Sequence, residues 1–295
     1  MKTDDIVIIG AGPAGISAAI QLKRYGLNPI LLEKSDAGGL LINANLVENY
    51  PGFPDGITGA KLVALFKKQL ENAQIKVDYE EVLRLDYKNT LFHTNTNRRK
   101  IVSRIIIIAS GTKPIKLSGF DLSPDIAKYI FYDVYPFKQI KNQRIAIIGA
   151  GDAAFDYALN LSKKNDLLIL NRTKKAKCLP ILWQRAMENN NISYFENAIV
   201  KNIALQNDGL SILLRNDAAK WNINISYLLV AIGREPNLDF ISESLFENLK
   251  KVEKAKSIYL IGDVKNGDYR QTSIAVGDGI RAAMEIYGKL SGEKL

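Results

Sequence analysis

The chain has 295 residues, 47% of them apolar, and 40 Lys and Arg against 31 Asp and Glu give a formal net charge of +9. At roughly 100–200 residues per domain, that length makes one large or two medium domains with real cores, which excludes a disordered or collagen-like chain. No uncharged apolar run approaches the roughly 18 residues that a membrane-crossing helix needs; a stretch such as 101–110 is short and carries Arg104, so no membrane partner is expected. A single cysteine cannot close an intramolecular disulfide, and with a single histidine no Cys/His cluster is available for zinc or iron–sulfur, so no metal is expected. The basic residues are scattered, with Lys-Lys pairs at 67–68, 163–164, 174–175 and 250–251, a dispersion that describes a solvated surface and argues against nucleic acid as a partner.

In chain order, Met1-Lys2-Thr3-Asp4-Asp5 runs directly into the apolar Ile6-Val7-Ile8-Ile9, without the basic segment and longer apolar stretch of a secretory leader, and a cytoplasmic location is expected. Residues 5–34 read as strand, glycine turn, helix and strand. Gly10-Ala11-Gly12-Pro13-Ala14-Gly15 forms the turn, a helix runs to about Arg24, and Pro29-Ile30-Leu31-Leu32-Glu33 is followed by Lys34. This is the dinucleotide fingerprint, with an acid about 20 residues after the glycines. Gly10 permits the tight turn, Gly12 lets a pyrophosphate approach the N–H groups at the helix N-terminus, and Gly15 lets helix and strand pack closely. Glu33 is placed to accept hydrogen bonds from an adenosine ribose. The lone His93 lies in the alternating segment Thr90-Leu91-Phe92-His93-Thr94, where an exposed structural role is expected. Ile105 to Ile108 continues into Ala109-Ser110-Gly111-Thr112-Lys113-Pro114, a buried strand with a proline stop.

A shift of 139 positions, from Gly10 to Gly149, brings the device back: Arg144-Ile145-Ala146-Ile147-Ile148, then Gly149-Ala150-Gly151-Asp152-Ala153-Ala154, a helix to about Lys163, and Leu167-Leu168-Ile169-Leu170-Asn171-Arg172. A second nucleotide site is implied. Arg172 stands in the register of Glu33, with Lys174, Lys175 and Lys177 behind it. An acid there favours NAD, whereas an arginine accommodates the 2′-phosphate of NADP, so NADP is expected and NAD is the alternative. Tyr227 to Asn237 and Ile258 to Asp263 are further apolar strands ending in small residues, and a last helix runs from about Ser273 to Leu290. The fold class is α/β, with two Rossmann-like dinucleotide-binding domains. Two such sites on a chain of this size point to an electron-transfer flavoenzyme, FAD on one half and a nicotinamide nucleotide on the other.

These motifs together resemble the low-molecular-weight thioredoxin reductases of bacteria and archaea over nearly the whole chain. The resemblance is carried by Gly10 to Gly15, Gly38-Gly39-Leu40, Val47-Glu48-Asn49-Tyr50-Pro51-Gly52-Phe53, the Ala109 to Thr112 strand end and Gly149 to Ala154. It extends to Ala231-Ile232-Gly233 through Pro236-Asn237, and to Gly262-Asp263-Val264 with Tyr269-Arg270-Gln271. It implies a homodimer whose subunits bind FAD with residues 1–113 and 242–295 and NAD(P)H with an inserted domain, 114–241. Carried over by motif, Gly38, Gly39 and Asn49 approach the flavin. Asp263 meets the ribityl and pyrophosphate region, Arg270 and Gln271 flank the isoalloxazine, and Leu40, Val82, Ala109, Gly111 and Thr272 are further expected cofactor contacts.

The resemblance stops at the sulfur. The family carries a Cys-x-x-Cys pair shortly before the second glycine turn, and its two positions here are Tyr132 and Tyr135. Cys178 follows the expected phosphate-binding segment and is read as a structural thiol. Leu40 replaces the family's usual Gln, and the short stretch between Phe240 and Ile258 implies a trimmed hairpin. Reductases of this type that lack the cysteines carry a C-terminal extension whose aromatic residue covers the flavin. This sequence ends Gly292-Glu293-Lys294-Leu295, which leaves Tyr132 or Tyr135 as candidate covers. The expected activity is transfer of electrons from NAD(P)H through FAD to a non-disulfide acceptor such as ferredoxin or flavodoxin, or the reverse, and the +9 charge suits an acidic carrier. The alternatives are an NAD(P)H oxidase or diaphorase acting on a small molecule, and a non-enzymatic flavoprotein that senses redox state or nucleotide.

Overall fold

A computed structural model describes residues 4–137 and 139–292. Met1 to Thr3 and Glu293 to Leu295, on which the readings of the two chain ends rest, lie outside the described residues. The chain divides into two compact units: one holds the residues up to Ile42, Val47–Lys113 and those from Glu235 onward, and the other holds Asn43–Leu46 and Pro114–Arg234.

The first visit to unit 1 lays down β1 (Asp4–Ile9), α1 (Pro13–Arg24), β2 (Ile30–Glu33), α2 (Gly59–Asn72), β3 (Val77–Tyr79), β4 (Val82–Lys88), β5 (Leu91–Thr96), β6 (Lys100–Ile108) and β7 (Thr112–Pro114). Unit 2 follows with α3 (Pro124–Ala127), β8 (Ile130–Phe131), β9 (Arg144–Ile148), α4 (Asp152–Leu161), β10 (Asp166–Leu170), α5 (Pro180–Met187), β11 (Ile192–Phe195), β12 (Ile199–Gln206), β13 (Gly209–Arg215), β14 (Lys220–Ile225) and β15 (Tyr227–Val230). After β16 (Arg234–Pro236), which pairs with β7, the chain ends in unit 1 with α6 (Glu243–Lys254), β17 (Ile258–Leu260) and α7 (Thr272–Ser291).

In unit 1 the strand order is β3-β2-β1-β6-β5-β4. β1 runs parallel to β2 and β6, with Ile9 opposite Leu32 and Ile108. One edge of β6 is shared, antiparallel β5 along 100–103 and parallel β17 along 106–108. Ile6 to Ile9 and Ile105 to Ile108 are all buried, as continuous apolar runs are when both faces of a parallel sheet are covered. α1 and α7 lie so close that a Cβ on Gly279 would collide with the Ala14 carbonyl. The half-buried His93 departs from the exposure expected of it, because β5 is an interior strand with Asp86 on one side and Val102 on the other.

Unit 2 is a five-stranded parallel sheet, β11-β10-β9-β15-β8. Its core has two layers: Phe155, Ala158 and Leu161 of α4 pack with Ile147, Ile169 and Leu229, while Ile203, Ile212, Leu214 and Ile225 of the antiparallel β12-β13-β14 meander pack with Ala146, Leu168 and Leu228.

Two sequence expectations are corrected here. The stretch after Phe240 is a helix, α6, and not a hairpin; Leu245, Leu249 and Val252 recur at helical spacing and pack on Leu85 and Ile258. The return crossing falls between Arg234 and Glu235, ahead of the 241/242 boundary read from the sequence. Leu238, Phe240 and Ile241 already join the unit 1 core, and the Phe240 carbonyl accepts from Leu85 N–H at 2.7 Å.

The two glycine turns obey one geometric constraint. Gly10 has φ +104° and Gly149 φ +122°, and a Cβ on either would collide with a strand-end carbonyl, that of Ala109 or Ala231 respectively. Gly149→Ala is therefore expected to destabilise unit 2 by roughly 1–3 kcal/mol or more, seen as a lowered urea midpoint. A variant as stable as the wild type contradicts this reading.

Candidate functional site

In unit 1, the first turn delivers α1 with Gly12 as its N-cap and Pro13 at its start, and no side chain caps the helix. Its leading N–H groups and the positive end of its dipole therefore face outward, an arrangement suited to an anion. Gly38 N–H donates to the Ala11 carbonyl at 2.7 Å. A Cβ on Gly39 would stand 3.2 Å from Gly12 Cα, so the two glycine segments leave a cradle that side chains would fill. Glu33 is held at its end of β2 by hydrogen bonds from Ala11 N–H at 2.8 Å and Ser35 N–H at 3.0 Å.

Beside the turn lies a cavity of about 400 Å³. Four expected residues line it, namely Gly10, Glu33, Lys34 and Val82. Glu80, Glu81, Leu83, Ser110, Lys113, Asn237, Asp239 and Phe240 line it as well and escaped sequence reasoning. The signal was present in part: Ser110 and Asn237 belong to strand-end motifs that the sequence singled out, and the Ser110 hydroxyl donates to the Asn237 carbonyl at 2.7 Å. Lys113 pairs with Asp239 and, at 3.4 Å, with Glu235.

Asn49 and Gln271, distant in sequence, are brought together, the Asn49 amide donating to Gln271 Oε1 at 2.8 Å. Gln271 is the N-cap of α7, which begins at Thr272. Asp263 and Arg270 are half-buried in the turn before α7, where Asp278 Oδ2 accepts from Gly262 N–H at 3.1 Å and from the Asn266 amide at 2.6 Å. Leu40 lies half-buried in the 3-10 turn of residues 39–43. Ala109 N–H donates to the Ile9 carbonyl, and the Gly111 carbonyl accepts from Asn237 N–H.

Unit 2 repeats the turn with different chemistry around it. Gly151 caps α4, and Asp152 Oδ1 accepts from Leu179 N–H at 2.8 Å. Ala153 and the fully buried Ala154 follow; a methyl group fits where Gly15 is required in unit 1. Lys177 N–H donates to the Ala150 carbonyl at 2.8 Å, tying the segment after β10 to the glycine turn. Arg172, Lys174, Lys175 and Lys177 are exposed, and none makes an ion pair among the described residues. Cys178 is half-buried, and burial pushes its thiol up, which disfavours the reactive thiolate.

Tyr132 and Tyr135 differ in their surroundings. The Tyr132 hydroxyl accepts from Leu117 N–H at 3.2 Å, Lys116 Nζ lies 3.9 Å from the ring centre, and the side chain packs on the unit 2 core. Tyr135 is 48% exposed, and its N–H donates to Asn43 Oδ1 at 3.1 Å. Between them Asp133 pairs with Arg234 at 3.1 Å. Segment 43–46 is further held by Asp156, which accepts from Asn45 N–H at 3.0 Å. Desolvation pushes the Asp156 carboxyl up to about 6.

With this geometry in hand, comparison with known proteins gives the class. The family model "Pyridine nucleotide-disulphide oxidoreductase" matches residues 4–279, and the chain belongs to that family. Among its relatives is a thioredoxin reductase of Borreliella burgdorferi, 29% identical over 96% of this chain and 91% of its own length. Another is a thioredoxin reductase of Rickettsia bellii, 30% identical over 96% and 97%. The solved thioredoxin reductase of Lactococcus lactis, in its FR conformation, superposes with a TM-score of 0.87 at 27% identity over 98% of this chain and all of its own. That of T. acidophilum gives 0.85 at 26% over 99% of this chain and all of its own. The fold is thus the α/β, two-Rossmann architecture of thioredoxin reductases, whose cofactors are FAD and NADPH. The chemistry of the residues described above fits both groups: two glycine cradles, the Glu33 carboxylate at the end of β2 beside the first, and exposed cations after β10 beside the second, without an ion pair among the described residues.

Asp156 carries a pH signature with a definite sign. Its folded value lies above that of the unfolded chain, so the folded protein holds the extra proton between about pH 4 and pH 6 and loses stability as pH rises through that window. Asp156→Asn keeps an acceptor and cannot ionise. Relative to it, the wild type is expected to lose roughly 1–3 kcal/mol between pH 4 and pH 7 in urea unfolding. Parallel profiles for the two proteins contradict the assignment.

Proposed function

We propose that this protein is an FAD-dependent NAD(P)H oxidoreductase that works without a redox disulfide, passing electrons between NAD(P)H and a non-disulfide acceptor such as ferredoxin or flavodoxin. The observation that carries the reading is the pairing of two complete glycine cradles with a sequence that has one cysteine and tyrosines at the two positions where the resembled family has its thiols. When bound, the flavin supplies hydride acceptance and one-electron release, and the chain's work is to hold and orient.

In this reading unit 1 binds FAD. Gly10, Gly12, Pro13, Ala14 and Gly15 present the α1 N–H groups to the pyrophosphate, Glu33 accepts from the adenosine ribose, and Gly38, Gly39, Asn49, Asp263, Arg270 and Gln271 serve the flavin half. The hydrogen bond between Asn49 and Gln271 fixes two of these side chains before any ligand arrives, which lowers the cost of ordering them. Unit 2 binds NAD(P)H: Gly149, Gly151, Asp152, Ala153 and Ala154 form the second cradle, while Arg172 and Lys177 take the 2′-phosphate. Four unpaired cations would repel one another less with that phosphate among them, which favours NADPH over NADH. The +9 charge suits an acidic protein carrier, and the subunit is expected to work as a homodimer.

Anaerobic rapid mixing of the yellow protein tests this directly. NADPH is expected to bleach the flavin faster than NADH, and Arg172→Gln to lower that preference by about 10- to 100-fold. The reduced protein is then expected to pass electrons to ferredoxin or flavodoxin, and dithiol assays to show no turnover. Turnover with quinone or oxygen alone points to the small-molecule alternative; NADPH-dependent dithiol turnover refutes the disulfide-free reading.

A further inference from the structure

Where β10 ends, unit 2 buries an amide in a place that the strand before it keeps apolar. Leu167 to Leu170 are all buried, and the next residue, Asn171, is only 5% exposed. Its backbone extends the sheet by one step, the N–H donating to the Phe195 carbonyl at 2.9 Å and the carbonyl accepting from Ala198 N–H at 2.8 Å. A buried amide costs stability unless its donors and acceptors are met. This one is met from two sides. Its Oδ1 accepts from Thr173 N–H at 3.1 Å and lies 3.1 Å from the Thr173 hydroxyl, while its Nδ2 donates to the Tyr194 hydroxyl at 2.7 Å.

The amide holds the start of the cationic segment. Asn171 closes an Asx turn over Arg172 onto Thr173. The Thr173 hydroxyl also lies 3.2 Å from the Lys175 carbonyl, and the Thr173 carbonyl accepts from Asn197 N–H at 3.2 Å. Tyr194 is itself fixed, its ring edge-on to Trp183 at 4.9 Å and 6.1 Å from that of the fully buried Phe155. Arg172, Lys174 and Lys175 are exposed, so their side chains pack little, and their like charges repel one another. The bonds made by Asn171 and Thr173 therefore set the path of this backbone.

We propose that Asn171, anchored on Tyr194, is a positioning residue for the choice between NADPH and NADH, acting through the turn that presents Arg172. This rests on reading Arg172 as a partner of the 2′-phosphate. A cation already held where the phosphate arrives binds it without the cost of ordering its loop. On a slack turn that cost falls on the phosphorylated nucleotide, and a nucleotide with a free 2′-hydroxyl is little affected.

The test compares adenosine 2′,5′-bisphosphate with 5′-AMP, which differ in the 2′-phosphate alone and transfer no electrons. Both are titrated onto the full chain in the presence of FAD. Wild type is expected to prefer the bisphosphate, and Asn171→Leu, close in volume but without the amide, to lower that preference by about tenfold while 5′-AMP affinity stays unchanged. Tyr194→Phe keeps its ring and is expected to lower the preference by about threefold. The double variant is expected to lose no more than Asn171→Leu alone, since both changes break one network. If Arg172→Gln lowers the preference but Asn171→Leu does not, or weakens both ligands alike, the positioning role is wrong and the 2′-phosphate reading stands. An unchanged circular dichroism spectrum verifies the fold, and Tyr194→Phe decides the matter if Asn171→Leu does not fold: an unchanged preference there overturns the role. If wild type shows no preference, both readings fall.

Discussion

The structure depends on a close approach made twice. At Gly10 and again at Gly149 the backbone turns so tightly against the end of a neighbouring parallel strand that no Cβ fits between them. That contact aims the following helix so that its first N–H groups, which no residue of the helix itself can satisfy, stand at the edge of the sheet. Both units are built around it: apolar strands buried on two faces fix the sheet, the sheet end fixes the turn, and the turn fixes the helix. The anion-binding character of each unit follows from this placement.

The differences between the two cradles are written in the residues that surround them. Unit 1 needs Gly15, since a Cβ there would collide with the Gly10 carbonyl, whereas unit 2 buries Ala154 at the matching position. Unit 1 ends its second strand with an acid held by backbone N–H groups, and unit 2 ends its own with an arginine followed by lysines. In the proposed reading one backbone device thereby serves two nucleotides of different charge, and a sequence with one cysteine keeps this binding machinery while sending electrons from the flavin to an acceptor other than a disulfide. Of the tyrosines at the two positions where the resembled family has its thiols, one packs on the unit 2 core, its hydroxyl and ring both engaged by residues 116 and 117, and the other is half exposed.

Much of this was legible in the sequence, because conformational demands leave residue-specific marks. A glycine at positive φ beside a colliding carbonyl cannot be anything else, so both turns could be read before the fold was known. The register between them, which places Arg172 where Glu33 stands, followed by counting. What could not be read were features set by partners far along the chain. The shortness of the segment between Phe240 and Ile258 suggests a trimmed hairpin, and only the unit 1 core shows that Leu245, Leu249 and Val252 share a helix face. Glu80, Glu81 and Asp239 reach one cavity from separate segments, and no spacing rule links them.

The central claim is that two nucleotide cradles deliver electrons to a flavin from which no sulfur carries them onward. Counting electrons tests it most directly. In an anaerobic reductive titration of the purified chain, full reduction is expected at two electrons per bound flavin, and Cys178→Ser is expected to leave that count unchanged. Uptake of four electrons per flavin would reveal a disulfide in the circuit, and a chain that binds no flavin at all would contradict the account at its root.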